Sequence, residues 1–314
     1  MNHFPPLTRR GFVSAALITA LAGSAGAAEP GTRLVILGSM GGPTVGAPRY
    51  QTSHVLLHKG SAYVVDCGYG VTEQLARAGV KLADIRDIFI THHHPDHNIE
   101  LGTLIYFAWF GGLETPLGLY GPPPLGRMAR DYLAAQKPDV DIWIKDLGHK
   151  PMPAVVSHEI ARAGPVMHDA NVRVSAAVVE HPPVTPALAY RFDFPDRSIV
   201  FSGDTAPVEA VVRLAKGADI LVHEAMYLPG LQGLTAGARA GSAIAADQGR
   251  LMEHLLKSHS PVEEVGRIAQ EAGVKTLVLS HLVPIAGISD ETWRTAAATH
   301  FKGEIIVARD LMVI

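Results

Sequence analysis

Residues 87–97 read DIFITHHHPDH, an apolar segment followed at once by four histidines and an aspartate. The apolar segment predicts a buried strand, and the histidines then occupy the loop at its end. Imidazole nitrogen and carboxylate oxygen are preferred ligands of zinc and related divalent metals. Because alternate residues of a tight loop point to one centre, His92 and His94 can bind one metal ion, and Asp96 and His97 a second. We therefore predict a dinuclear metal site here, with His93 facing away from it.

The composition agrees with a histidine-based site in a globular protein. The chain has 314 residues with 16 histidines and a single cysteine, Cys67, which excludes an internal disulfide and a cysteine-based zinc module. Hydrophobic residues make up 47% of the sequence, enough for a sizeable core. The net charge of −3 excludes a polycationic nucleic-acid coat and an acidic disordered tail.

The first residues predict an export signal. Arg9 and Arg10 precede an apolar run at residues 14–22 and small residues at 23–28, a pattern that resembles a bacterial twin-arginine signal. The run is shorter than the roughly 20 residues of a spanning helix, so no membrane span is expected. We predict a signal peptide at 1–27, one domain at 28–314 with an insertion or lid at about 121–170, and a periplasmic or secreted location.

The motif at residues 92–97, His-x-His-x-Asp-His, resembles the signature of the metallo-β-lactamase superfamily. This resemblance implies an α/β fold, the αββα four-layer sandwich, with two zinc ions, or alternatively manganese or iron. Asp66 is similar to the buried aspartate that braces the metal loop in that family. The ligand set that the resemblance implies is His92, His94, Asp96, His97, His181, Asp204 and His281.

Further motifs resemble the tRNase Z branch of the superfamily and its relatives, the zinc arylsulfatases and phosphodiesterases. Residues 223–226, HEAM, resemble the branch's His-Glu-Ala-Thr motif, and residues 259–261, HSP, resemble its His-Ser-Thr motif. The second resemblance implies that His259 is the general acid, at the start of a helix that we expect Ser260 to cap. Glu224 would orient His259 or a metal-bound histidine, and His223 would assist it. The alternative interpretations are a polar capping residue for His259 and a buried, hydrogen-bonded imidazole for His223.

Three features of the sequence argue against tRNA as the substrate. Only 22 residues separate His181 from Asp204, which leaves no room for the long arm with which many tRNase Z proteins hold tRNA. After removal of residues 1–27, acidic residues outnumber basic ones, whereas a protein that follows a phosphate backbone is expected to have a basic face. Export would also separate the protein from tRNA. We therefore predict a small-molecule ester as the substrate and do not expect nucleic acid as a partner.

The resulting hypothesis is an exported dinuclear zinc hydrolase that cleaves small phosphodiester or sulfate esters, as a phosphodiesterase or arylsulfatase does. Asp204 would bridge the two metals, and Asp96 would bind one of them and orient the attacking hydroxide. A homodimer is compatible with the sequence. The alternatives are a lactone or β-lactam hydrolase on the same site, a tRNA 3′-processing endonuclease, and a metal-binding protein without catalysis.

Overall fold

The apolar runs of the sequence form the strands of two sheets. The computed structural model describes residues 31–45, 48–231, 248–284 and 287–314. The predicted signal peptide, residues 1–27, lies outside these ranges, so export and the periplasmic location stay predictions. Among the described residues, no helix has both the length and the hydropathy needed to cross a bilayer.

Each sheet is mixed, with antiparallel strands on one side and parallel strands on the other. The first sheet contains, in spatial order, β1 (Arg33–Gly38), β2 (Ser53–His58), β3 (Ser61–Val65), β4 (Ile85–Phe89), β5 (Leu117–Gly121) and β6 (Val155–Glu159). The second sheet contains, again in spatial order, β7 (Gly164–His168), β8 (Arg173–His181), β9 (Val184–Asp193), β10 (Ser198–Phe201), β11 (Ile220–Met226), β12 (Thr276–Val283) and β13 (Glu304–Val307).

Helices cover the outer face of each sheet. The α-helices of the described residues are α1 (Val71–Arg77), α2 (Pro95–Asn98), α3 (Leu101–Phe110), α4 (Leu125–Lys145), α5 (Glu209–Leu214), α6 (Gln248–Ser258), α7 (Val262–Ala272) and α8 (Asp290–Ala297). Buried residues of α1, α3 and α4 pack on the first sheet, and those of α5, α7 and α8 pack on the second. Successive residues of a strand face opposite sides, so each sheet serves two cores.

The core between the sheets is rich in aromatic side chains. Phe89 of β4 meets Phe192 of β9 edge to face, with ring centroids 4.9 Å apart, and it stacks on Tyr120 at the same centroid distance. Its neighbour Ile88 faces the helical side of the sheet instead. The order is therefore helices, sheet, sheet, helices, which confirms the predicted αββα sandwich.

The segment predicted as an insertion or lid, residues 121–170, contains α4 and one edge strand of each sheet. β6 pairs with β5 in the first sheet, and β7 pairs with β8 in the second. α4 runs without a break to Lys145, although Pro138 lies inside it. Lys137 and Asp141, one turn apart, form an ion pair with an N–O distance of 2.7 Å across this stretch. A lid function for the segment stays a prediction.

Candidate metal centre

The predicted ligands lie where strands of both sheets end. Residues 91–97 follow β4, and His181 is the last residue of β8. Asp204 comes shortly after β10, and His281 lies near the end of β12. Because β8, β10 and β12 run in the same direction within the second sheet, their carboxyl ends meet at one edge. All seven predicted ligands lie there, and all except His94 are buried.

The first donor group joins His92, His94, His181 and Asp204. Nδ1 of His94 lies 3.1 Å from Nε2 of His92 and 3.1 Å from Nε2 of His181. Two nitrogens bound to one tetrahedral zinc ion at ordinary bond lengths are about 3.3 Å apart. Three imidazole nitrogens that converge on one point cannot all satisfy each other with protons, whereas one cation satisfies them together. The spacing and chemistry of this group therefore fit a metal ion.

The second donor group joins Asp96, His97, Asp204 and His281. Nε2 of His281 lies 3.1 Å from Oδ2 of Asp204 and 3.3 Å from Oδ2 of Asp96. Nε2 of His97 and Oδ1 of Asp204 are 3.3 Å apart, and both are buried without a hydrogen-bond partner in the described part of the chain. Buried polar atoms rarely remain unsatisfied. A second cation would satisfy them, and Asp204, which belongs to both groups, would lie between the two ions.

The charges of the site also favour a cation. Burial lowers the pKa of His281, but Asp204 and Asp96 outweigh this effect and raise it to about 10. Burial raises the pKa of Asp204, yet His281, His97 and neighbouring imidazoles hold it well below its ordinary value. The carboxylates therefore remain ionised and attract positive charge into a buried space. Together with the donor geometry, this electrostatic demand indicates a dinuclear metal site.

Asp66 braces the histidine loop from the end of β3. Its carboxylate accepts hydrogen bonds from the Thr91 backbone N–H at 2.8 Å, from the Thr91 hydroxyl at 2.9 Å, and from Nδ1 of His97 at 2.8 Å. A proton on Nδ1 leaves the lone pair of His97 on Nε2, the nitrogen of the second donor group. Nδ1 of His181 donates to the Ser258 carbonyl at 2.8 Å, with the same effect. Both imidazoles are thus held in the tautomer that a metal ligand requires.

His259 and Glu224 form a buried pair beside the donor groups. Nδ1 of His259 lies 3.1 Å from each carboxylate oxygen of Glu224, and Glu224 also accepts the Thr205 N–H at 2.9 Å. Burial lowers the pKa of His259, but Glu224 and then Asp204 raise it, with a net increase. The predicted pairing of these two residues is therefore present in the structure, and it leaves Nε2 of His259 outside the contact with Glu224.

Among three other residues near the site, Ser260 differs from expectation, whereas His223 and His93 agree with an interpretation given above. The prediction that Ser260 caps α7 is wrong. Its hydroxyl instead donates a hydrogen bond to the Thr205 carbonyl at 2.7 Å, which links the His259 loop to the Asp204 loop. His223 is fully buried, and its Nδ1 donates to the backbone carbonyl of the next residue. His93 faces away from the donor groups, with Nε2 at 2.7 Å from the Pro122 carbonyl.

Two contributions to the site were not predicted from the sequence. The Gly42 backbone N–H donates to Oδ2 of Asp96 at 2.8 Å, and the His254 ring on α6 lies beside His94 and His181. The glycine pair at 41–42 is a signal for close backbone approach, because a Cβ on Gly41 would lie 2.6 Å from the His281 ring. His254 and Ser258 are four residues apart, a spacing that places two residues on one face of a helix. This spacing is the sequence signal for His254.

Known proteins resemble this chain over most of its length. The family model described as "Beta-lactamase superfamily domain" matches residues 62–282. "Ribonuclease Z" of Mycobacterium bovis (strain BCG / Pasteur 1173P2) is 33% identical over 282 residues, which cover 88% of this chain and 96% of the relative. "Ribonuclease Z" of Mycobacterium sp. (strain KMS) is 35% identical over 285 residues, or 88% and 94%. The crystal structure of the short form of human tRNase Z has a TM-score of 0.63 and 22% identity, covering 90% of this chain and 98% of that one.

These relatives overturn two predictions, namely the small phosphodiester or sulfate ester as substrate and the exclusion of nucleic acid as a partner. The alignment covers 96% of the Mycobacterium bovis protein, so that ribonuclease has no long arm that this chain lacks. The short spacing between His181 and Asp204 is therefore no argument against RNA. Net charge sums the whole surface and does not describe the field at one site. The predicted export signal lies outside the described residues. The fold, the donor groups and the alignments together show that this chain is a metal-dependent hydrolase of the metallo-β-lactamase superfamily.

Proposed function

We propose that the chain is a metal-dependent endoribonuclease that processes the 3′ end of tRNA precursors. The observation that carries the proposal is the alignment with proteins named Ribonuclease Z at 33% and 35% identity over nearly their whole length. The geometry agrees with it, because a phosphodiester cleaved by water needs a nucleophile, charge stabilisation and a proton for the leaving oxygen. Residues suited to each task lie at one edge of the sandwich.

Two zinc ions are the cofactors that we propose for the donor groups. When bound, such ions supply Lewis acidity, which activates water at neutral pH and stabilises negative charge on a phosphoryl group. Nitrogen and carboxylate ligands without thiolate suit zinc, with manganese or iron as the alternatives. The residues that would hold them are His92, His94, His181 and Asp204 in one group, and Asp96, His97, Asp204 and His281 in the other.

The remaining residues would handle protons and orientation. Asp96 is held by the Gly42 N–H, so its carboxylate has a defined direction in which to accept a hydrogen bond from the attacking water. Glu224 fixes Nδ1 of His259, which leaves Nε2 to protonate the departing sugar oxygen. Glu224 is itself fixed by the Thr205 N–H. We assign the general-acid role to His259 and its orientation to Glu224.

The test uses the purified, metal-loaded protein and a tRNA precursor with a 3′ extension. We expect one endonucleolytic cut at the 3′ side of the acceptor stem. His259→Ala should lower kcat by about 10²- to 10⁴-fold with unchanged metal content, the range typical of losing a general acid. His300→Ala, in the exposed turn that follows α8, is the matched control. A wild-type protein with two metals bound that leaves the precursor intact would refute the proposal.

Location is a separate proposal that rests on residues 1–27. We propose that Arg9 and Arg10 direct export, as the resemblance to a twin-arginine signal implies. Cell fractionation of the wild type and of a variant with both arginines replaced by lysine tests this. Equal amounts in the cytoplasm for both proteins would contradict export.

A further inference from the structure

His254 lies beside the metal centre without belonging to either donor group. Its ring centroid is 6.1 Å from that of His181, 6.5 Å from that of His94 and 6.1 Å from that of His259. None of the groups of close metal-donor atoms found among the described residues includes it. The side chain is partly exposed, on the face of α6 that looks towards the site. It is therefore placed to meet a bound substrate rather than a metal ion.

The hydrogen bonds of Ser258 decide which nitrogen of His254 carries the proton. The Ser258 hydroxyl lies 2.6 Å from the Pro182 carbonyl and 3.3 Å from Nδ1 of His254. A carbonyl oxygen cannot donate, so the single hydroxyl proton of Ser258 must point to Pro182. Nδ1 of His254 is then the donor in the second contact. In the neutral ring, Nε2 is left as a lone-pair acceptor, and it has no hydrogen bond in the described part of the chain.

A free acceptor at the mouth of the site calls for a donor on the substrate. Phosphodiester oxygens only accept hydrogen bonds, so they do not match a neutral Nε2. The ribose 2′-hydroxyl does match, because it donates, lies next to the backbone phosphate and distinguishes RNA from DNA. We propose that Nε2 of His254 accepts a hydrogen bond from the 2′-hydroxyl of a nucleotide beside the cleaved linkage, and so contributes to selection of RNA. This inference rests on the proposed function.

Two other roles for His254 predict different measurements. As a metal ligand it would change the metal content, although its nitrogens lie outside both donor groups. As a proton relay to His259 it would change kcat whatever the sugar. Here the two rings are perpendicular, at 90°, and no hydrogen bond joins them. Only the proposed contact makes the effect of a His254 substitution depend on the substrate's 2′ position.

The experiment combines variants of His254 with substrates altered at one sugar. His254→Phe keeps a ring without an acceptor, His254→Gln restores an acceptor oxygen, and His300→Ala is the control. Each metal-loaded protein is assayed on three precursors. One is all ribose, one has a single 2′-deoxy sugar on the 5′ side of the cleaved linkage, and one has a single 2′-deoxy sugar on its 3′ side. The assay is run at about pH 8, above the usual histidine pKa. Bound metal and kcat/KM are measured for every combination.

We expect the wild type and His300→Ala to cleave one deoxy precursor about fivefold more slowly than the ribose precursor, the effect of one neutral hydrogen bond. His254→Phe should cleave that deoxy precursor and the ribose precursor at the same rate. His254→Gln should recover most of the rate difference between these two precursors. Unchanged discrimination in His254→Phe, a loss of metal, or an equal fall of kcat on all precursors would overturn the inference. Absence of cleavage by the wild type would instead refute the proposed function, and this inference with it.

Discussion

Replacing Asp66 with asparagine tests how the fold selects the metal-facing nitrogen of His97. In the wild type, the carboxylate holds a proton on Nδ1 of His97 at 2.8 Å and accepts two hydrogen bonds from Thr91. An asparagine oxygen can still accept from Thr91, but its NH₂ group then faces His97. The imidazole must either lose a hydrogen bond or move its proton to Nε2, where the proton competes with the metal.

The expected magnitude follows from these contacts. Loss of one charge-assisted, buried hydrogen bond should lower the free energy of unfolding by about 2 kcal/mol, because Asp66 is only 2% exposed. Disturbing the partner of a metal-binding histidine typically weakens metal affinity about 10- to 100-fold. We therefore expect Asp66→Asn to fold, to unfold at lower urea concentration, and to lose metal to a chelator that leaves the wild type loaded.

The control for this variant is Asp169→Asn. Asp169 accepts hydrogen bonds from the Tyr63 hydroxyl and from two backbone N–H groups, but it lies outside both donor groups. The Asp169→Asn variant should therefore be less stable than the wild type but bind metal with the same affinity. Urea unfolding and a competitive chelator titration measure the two quantities separately. If Asp66→Asn bound metal as tightly as Asp169→Asn, the argument from the His97 tautomer would be refuted.

Three further predictions follow from single side chains. Asp204→Asn should lower bound metal from two ions to fewer than one by elemental analysis, because Asp204 belongs to both donor groups, and retention of two ions would contradict the bridging role. Gly266→Ala should lower the free energy of unfolding by about 1–3 kcal/mol, since the new Cβ would lie 2.2 Å from the Ala297 carbonyl oxygen. An unchanged Tm would contradict this prediction, because it would show that α7 and α8 can move apart at no cost. Burial raises the pKa of Asp219, but the hydrogen bonds from Lys275 and Ser198 and the charge of Lys275 together outweigh it, and the net pKa is about 2. Because the folded pKa is below the unfolded value of about 3.9, this stability is present near neutral pH and lost as the pH falls towards 2. Asp219→Asn should thus cost about 1–2 kcal/mol in urea unfolding at pH 7, with a deficit that shrinks below pH 4, and a deficit independent of pH would contradict the assignment.

The part of the site closest to one local motif was the most predictable. Residues 92–97 combine several metal-donor side chains in one loop, and a loop so dense in donors rarely does anything but bind metal. Asp66 could also be predicted, because the resemblance to the superfamily implies a buried aspartate that braces the loop. The Gly42 contact to Asp96 could not, since it joins residues 54 positions apart and involves a backbone N–H that every sequence position except proline offers.

The substrate was predicted wrongly from properties that sum over the chain. Net charge and the length of one interval carry no information about which surface meets the substrate. The motifs at 223–226 and 259–261 were local evidence and indicated the branch that the relatives now support. Local motifs thus predicted the substrate better than net charge or interval length did, because a site is built from a few side chains.

The sequence by itself determined the chemistry of the donors and the type of fold. Histidines and aspartates that follow apolar strands suit a metal site, and the resemblance of the His-x-His-x-Asp-His motif to the metallo-β-lactamase superfamily implies two packed sheets. The resemblance also implies that both metals share Asp204, whereas only the tertiary structure decided how the donors are held. It places Asp204 between two groups, selects the tautomers of His97 and His181 through Asp66 and the Ser258 carbonyl, and brings His254 from α6 to the mouth of the site. These outcomes depend on distances between distant segments, which packing sets and local sequence does not.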